Sequence, residues 1–340
     1  MTANLCKDSL GDLPGVRIGG VHRVIDNGSH NAFTDLIQFQ GKFYLTCRSC
    51  PEGHMIFPSS TIRILVSDDG VSDWAEVFQF SVAERDVRDP HFLIFREKLF
   101  VYSGTWLCDP SGGDQIDMND HLGYAVCTEN GADWDGPTML EGTYGHYIWR
   151  GAALGGTAFL CGRRRRDFVR GHAEDQAELI QSAMLASTDG LVWTTAGLFA
   201  DSHGDETAFL VEDDGSVLAL VRGADPTPAR ISRLQPPYDS FQHADLDRNV
   251  GGPMLSRWGE HLLVAGRKTI EPGQAVTTLY WLADDRLHEI CELPSGGDNS
   301  YPGFVDLGAG KGLLSFYSSH EGSGRGVAPC HVYVAELEMA

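Results

Sequence analysis

The chain has no apolar run near the roughly 20 residues that a membrane helix requires. It opens MTANLCKDSLGDLPG, without the basic end and apolar stretch of a secretory signal. No stretch keeps a helical apolar period. Positive charge is scarce, with 26 Lys and Arg against 47 Asp and Glu and a formal net charge of −21. A general polyanion binder needs a net basic face, so neither nucleic acid nor a membrane is expected as a partner. No glycine-rich phosphate loop stands at a strand–helix junction. The eight cysteines are scattered along the chain. Without a leader they read as reduced thiols in a cytoplasmic protein, unless a removed leader once directed it outward. Cys47-x-x-Cys50 with His54 lacks the second ligand pair of a structural zinc site. No metal and no cofactor are expected.

Glycine is abundant, at 40 of 340 residues, which implies many tight turns. One pattern recurs six times at intervals of roughly 47 to 60 residues: a short apolar strand, a turn, a second apolar strand, then usually Arg. The copies begin near Phe33, Arg88, Trp149, Glu206, Gly252 and Tyr301. Each leaves room for two further strands, and six four-stranded antiparallel units make an all-β, six-bladed β-propeller. One domain over residues 1–340 is expected. Its blades should lie at about 32–80, 88–140, 146–200, 205–245, 251–293 and 300–338, with about 14–25 supplying the last outer strand.

A second repeat runs Ser67-Asp68-Asp69-Gly70 to Trp74, Thr128-Glu129-Asn130-Gly131 to Trp134, and Ser187-Thr188-Asp189-Gly190 to Trp193. An acidic or amide side chain in such a turn bonds backbone N–H groups, and Gly takes the left-handed position.

In a propeller the innermost strand starts, and the second strand ends, at one mouth of the central channel. That rule gathers Asp35, Asp89, Trp149, Arg150, Glu206 and Tyr301 with Arg48, Arg163, Arg222, Arg267 and His320. Arginine at four equivalent positions in so acidic a chain predicts a pocket for a carboxylate-bearing small molecule or oligosaccharide. A structural ion pair is the bland alternative for any one of them. The run Arg163–Arg166 is countered by Asp167, Glu174 and Asp175, and residues beyond Arg163 read as a solvated loop.

The serine–aspartate–glycine–tryptophan turns resemble the Asp boxes (BNR repeats) of sialidases, which are structural. Glu206 through Arg222 resembles the sialidase segment with the catalytic Glu and a carboxylate-binding Arg. Gly296-Gly297-Asp298-Asn299-Ser300-Tyr301 resembles the segment that carries the nucleophilic Tyr. The resemblance implies a sialidase-like glycoside hydrolase. In it Tyr301 attacks, Glu206 takes its proton, and Arg222 and Arg267 clamp a substrate carboxylate. Sialidases begin the first blade Phe-Arg-Ile-Pro, and its Arg completes the triad; here the segment reads Ala32-Phe33-Thr34-Asp35. The acidic residue of an early sialidase loop has no match, and Glu52 and His54 stand in that loop.

Other readings remain open. Five-bladed furanosidases resemble the chain at Asp35, at Arg88-Asp89-Pro90 and at Glu206, which would make a nucleophile, a sugar-positioning group and an acid. His54, His91, His146 and His320 with Tyr301 and the arginines would suit β-elimination on a uronic acid. A non-catalytic propeller could bind a glycan or a protein through the same mouth.

Overall fold

The computed structural model describes residues 9–11, 13–108, 117–170, 177–223, 227–271 and 273–340. Cys6, Glu174 and Asp175 lie outside the described residues. Six four-stranded antiparallel sheets follow one another along the chain, the arrangement of a six-bladed β-propeller. Within each of the first five blades the strands pair in sequence order. The sixth takes three strands from the C-terminal end, and Val16–Ile25 pairs antiparallel with His331–Met339 as its fourth. The helical content among the described residues is three short 3-10 turns.

The fold divides into two compact units. One holds Met1–Met55, Arg63–Gln79 and Val250–Ala340; the other holds Ile56–Ile62 and Phe80–Asn249. In the first, the inner strand Asn299–Gly308 packs against two other inner strands, His30–Phe39 and Gly251–Trp258. Trp258, Trp281, Phe316 and Tyr333 fill its core. In the second, the inner strand Tyr147–Leu154 packs against Arg85–Phe95 and Thr207–Val211. Phe100, Tyr102, Leu160 and Trp193 fill that core.

The three repeated turns share one hydrogen-bond pattern. The hydroxyl of Ser67, Thr128 or Ser187 accepts the N–H of the glycine three residues on, at 2.9–3.0 Å. Asp69, Asn130 and Asp189 each accept two further backbone N–H groups. These bonds, and above all those from Ser72, hold the Asp69 carboxyl well below the usual range. Gly70, Gly131 and Gly190 take φ of 74°, 74° and 83°, where a side chain is strained. Trp193 is buried, whereas Trp74 and Trp134 are half-buried.

Five of the six inner strands carry a bulge at the same place. One extra residue enters after Ala32, Arg88, Ile148, Gly251 and Ser300. Phe33, Asp89, Trp149, Gly252 and Tyr301 therefore occupy equivalent positions. Four of these five have positive φ: Phe33 58°, Asp89 50°, Gly252 56° and Tyr301 51°. A non-glycine residue there costs on the order of 1–3 kcal/mol, which the surrounding sheet must offset. Asp35, read from the sequence as the partner of Asp89 in the repeat, lies two positions beyond the equivalent one.

Candidate functional site

The first unit gathers its polar side chains around Asp298, which is 3% exposed. Oδ2 accepts hydrogen bonds from His30 Nε2 at 2.8 Å, His54 Nδ1 at 3.2 Å and the Gly326 N–H at 3.0 Å. Oδ1 accepts from the Tyr317 hydroxyl at 2.9 Å, and Arg267 Nη2 lies 4.0 Å from it. Burial pushes the Asp298 carboxyl up, but the bonds from His30 and His54 outweigh it and hold the group below the ordinary range. Arg267 also donates to the Asn299 carbonyl and to the Tyr317 hydroxyl.

Beside this cluster stands an aromatic group. The Phe33 ring meets Tyr301 edge to face at 4.8 Å, His54 at 5.3 Å and Tyr317 at 5.7 Å. The Arg267 guanidinium carbon lies 5.5 Å from the centre of the Tyr301 ring. Tyr301 is buried and rests on Gly252, where a Cβ would come within 2.6 Å of the ring. Gly252→Ala is expected to displace Tyr301 and to destabilise the fold by about 1–3 kcal/mol. Denaturant unfolding checks the energy, and an unchanged midpoint would show that the ring does not depend on that glycine.

Arg48 is fully buried and serves the loop that follows it. Its guanidinium donates to the carbonyls of Gly53 at 3.0 Å and Met55 at 2.8 Å, on either side of His54. Asp35 lies against Gly303, where a Cβ would come 2.7 Å from Asp35 Oδ1. His320 is exposed, bonded through Nδ1 to Ser318 and tilted over Tyr333. Glu52 is exposed and accepts from the Cys50 thiol at 3.5 Å.

The second unit gathers carboxylates and arginines. Arg222 Nη1 donates to Glu206 Oε2 at 2.8 Å, and Arg163 Nη1 to Asp205 Oδ1 at 2.5 Å. Asp89 accepts a bond from the Tyr147 hydroxyl. Burial, and then the charge of Glu206, push the Asp89 carboxyl up to about 7, against the opposing pull of Arg88, Tyr147 and Arg163. Its Oδ1 has no hydrogen-bond partner among the described residues. The Arg163 guanidinium lies 4.9 Å from the Tyr147 ring centre and 6.0 Å from that of Trp106. His121 is kept neutral by burial and by Arg163, Arg85 and Arg88. Trp149 is buried edge to face with His91, and Arg150 lies over its ring at 4.9 Å.

The arginine run corrects the sequence reading. Arg163, Arg164 and Arg165 belong to the strand Thr157–Arg165, and Arg165 is 7% exposed with a bond to the Val169 carbonyl. Arg164 is tied to Gln181 and Thr195, so the run is strand through Arg165 rather than solvated loop, and Arg166 opens a 3-10 turn. Sequence reasoning gave no weight to Asp298, His30, Tyr317, Tyr147 or Asp205. Only Asp298 had a visible signal, as part of the segment ending in Tyr301.

No family pattern and no curated protein sequence matches this chain. Among solved structures it is similar to a protein of unknown function from Dyadobacter fermentans. That match has a TM-score of 0.77 and 19% identity over 96% of this chain and 100% of the other. It is also similar to Trypanosoma rangeli sialidase in complex with the inhibitor DANA (TM-score 0.67, 12% identity, 93% of this chain). NanB sialidase from Streptococcus pneumoniae matches with a TM-score of 0.66 and 10% identity, over 94% of this chain and 70% of the other. The chain spans 58% of the length of the Trypanosoma sialidase. At these identities the likeness is one of fold.

Proposed function

We propose that this chain is a glycoside hydrolase acting on a terminal acidic sugar. The observation that carries the reading is the carboxylate pair of the second unit, Asp89 and Glu206, whose surroundings differ. Glu206 is ion-paired with Arg222 at 2.8 Å. Asp89 is pushed up to about 7 and keeps a proton near neutral pH. A glycosidase needs that division: one carboxyl protonates the departing oxygen while another group supplies negative charge. The open hydrogen-bonding position on Asp89 Oδ1 suits the acid's part.

Arg163 and Arg222, with side chains 16% and 20% exposed, supply the positive charge that an acidic sugar requires. The first triad arginine of the sialidase pattern is missing from the segment Ala32-Phe33-Thr34-Asp35, so the carboxylate grip rests on fewer cations and should discriminate less sharply among acidic sugars.

A panel of chromogenic sialosides, uronides and furanosides tests the proposal. Hydrolysis of an acidic member, lost in Glu206→Gln, is expected. An unsaturated, ultraviolet-absorbing product would replace the reading with elimination. Binding without turnover across the panel would replace it with a glycan-binding propeller.

A further inference from the structure

We propose that His30, His54 and Asp298 form a binding site for one divalent transition-metal ion, zinc first. The site goes beyond the glycosidase reading and does not depend on it. The three ligand atoms lie within 4.8 Å of one another. Two of the separations are 2.8 Å, from His30 Nε2 to Asp298 Oδ2, and 3.2 Å, from His54 Nδ1 to the same oxygen. Ligands bound at about 2.0–2.2 Å stand about 2.8–3.6 Å apart across octahedral or tetrahedral angles; the two separations to Asp298 already fit, and the third, at most 4.8 Å between the imidazole nitrogens, closes as the partly exposed His54 turns onto the ion. Two imidazoles and one carboxylate are a donor set suited to zinc, iron or cobalt rather than to calcium or magnesium.

The bonding without an ion is crowded. Oδ2 receives three N–H donors, from His30, His54 and Gly326, although a carboxylate oxygen offers two lone pairs. With an ion, the two imidazoles give lone pairs to the metal and carry their protons on the other ring nitrogen, or release them if cationic. Oδ2 then keeps only the Gly326 N–H beside the metal. The other oxygen is already held by Tyr317 at 2.9 Å, the kind of outer support that ligating carboxylates have. Arg267 carries positive charge near the cluster, but it faces Oδ1, at 4.0 Å, and not the oxygen shared with the histidines.

The scaffold fixes all three ligands. His30 and Asp298 are buried. His54 sits on a loop clamped by Arg48, and its backbone N–H donates to the Gly326 carbonyl at 3.0 Å. Its side chain is 27% exposed, which leaves an approach for the ion and for a water as a further ligand. The sequence conceals the site because His30 and His54 stand 268 and 244 positions from Asp298.

The test uses the whole protein, stripped with a chelator and titrated with Zn²⁺ by calorimetry and with Co²⁺ by visible absorption. One ion per chain is expected, with micromolar or tighter affinity. His54→Ala should weaken binding by at least about 100-fold, since even outer partners of a metal cost 10–100-fold. His54 lies on a partly exposed loop, so this variant reports even if His30→Ala fails to fold. Absence of stoichiometric binding overturns the proposal. So does affinity unchanged in His54→Ala, which would assign the ion to surface groups such as His22 and Glu336. No substrate enters the measurement, so failure of the glycosidase reading leaves it intact.

Discussion

Glu206→Gln is expected to lower turnover about 100- to 10,000-fold while binding of an acidic ligand is kept or tightened. Glutamine keeps the shape of the side chain but carries no charge. In the parent protein Glu206 neutralises part of the Arg222 guanidinium at 2.8 Å. Without that partner the cation turns its full charge on the ligand. The same change removes a like charge that pushes Asp89 up, so the Asp89 carboxyl titrates at lower pH in the variant. Turnover and dissociation constant, measured side by side over pH, separate these effects. Turnover within tenfold of the parent would remove Glu206 from the chemistry. Equal loss of binding and turnover would make it a structural partner of Arg222.

Asp89→Asn is expected to make the fold less sensitive to alkaline pH. The unfolded chain titrates this carboxyl near 3.9, and the folded protein holds it up to about 7. Between those values the folded state binds the extra proton, so this group's contribution to stability falls as pH rises. Above the folded value the full cost of burying the charge is present. A shift of that size corresponds to at most about 4 kcal/mol. Asparagine cannot ionise and still accepts the Tyr147 hydroxyl bond. The variant and parent should therefore unfold alike near pH 4, and the variant should be the more stable at pH 8. The groups that set the balance are Glu206, Arg88, Tyr147 and Arg163. Parallel stability curves from pH 4 to 8 would show that Asp89 is not held protonated.

The blades were readable from the sequence because hairpins leave a local trace: two apolar strands, a turn, and a return at regular intervals. The bulges leave almost none. One extra residue in each of five inner strands shifts the facing side chain. Counting from strand starts therefore matched Asp35 to Asp89, where the backbone puts Phe33. Arginines at matching repeat positions also proved unequal. Arg267 lies beside Tyr301, whereas Arg48 is consumed by the loop below it. Glu206 and Arg222 were legible together because one hairpin joins them, and they are bonded. The Asp298 cluster was hidden because its members come from distant segments, and a list of residues does not contain that proximity.

The pairing of Val16–Ile25 with His331–Met339 sets an order of events during synthesis. Among the blade strands described, the earliest to leave the ribosome is the one whose neighbour emerges last. Until residue 339 has been made, that ten-residue strand has no edge to join, and the final sheet stays open on one side. A chain stopped before His331–Met339 would thus leave Lys311–Ser318 and Val16–Ile25 each with an open edge, and a finished second copy could fill the gap with its own last strand.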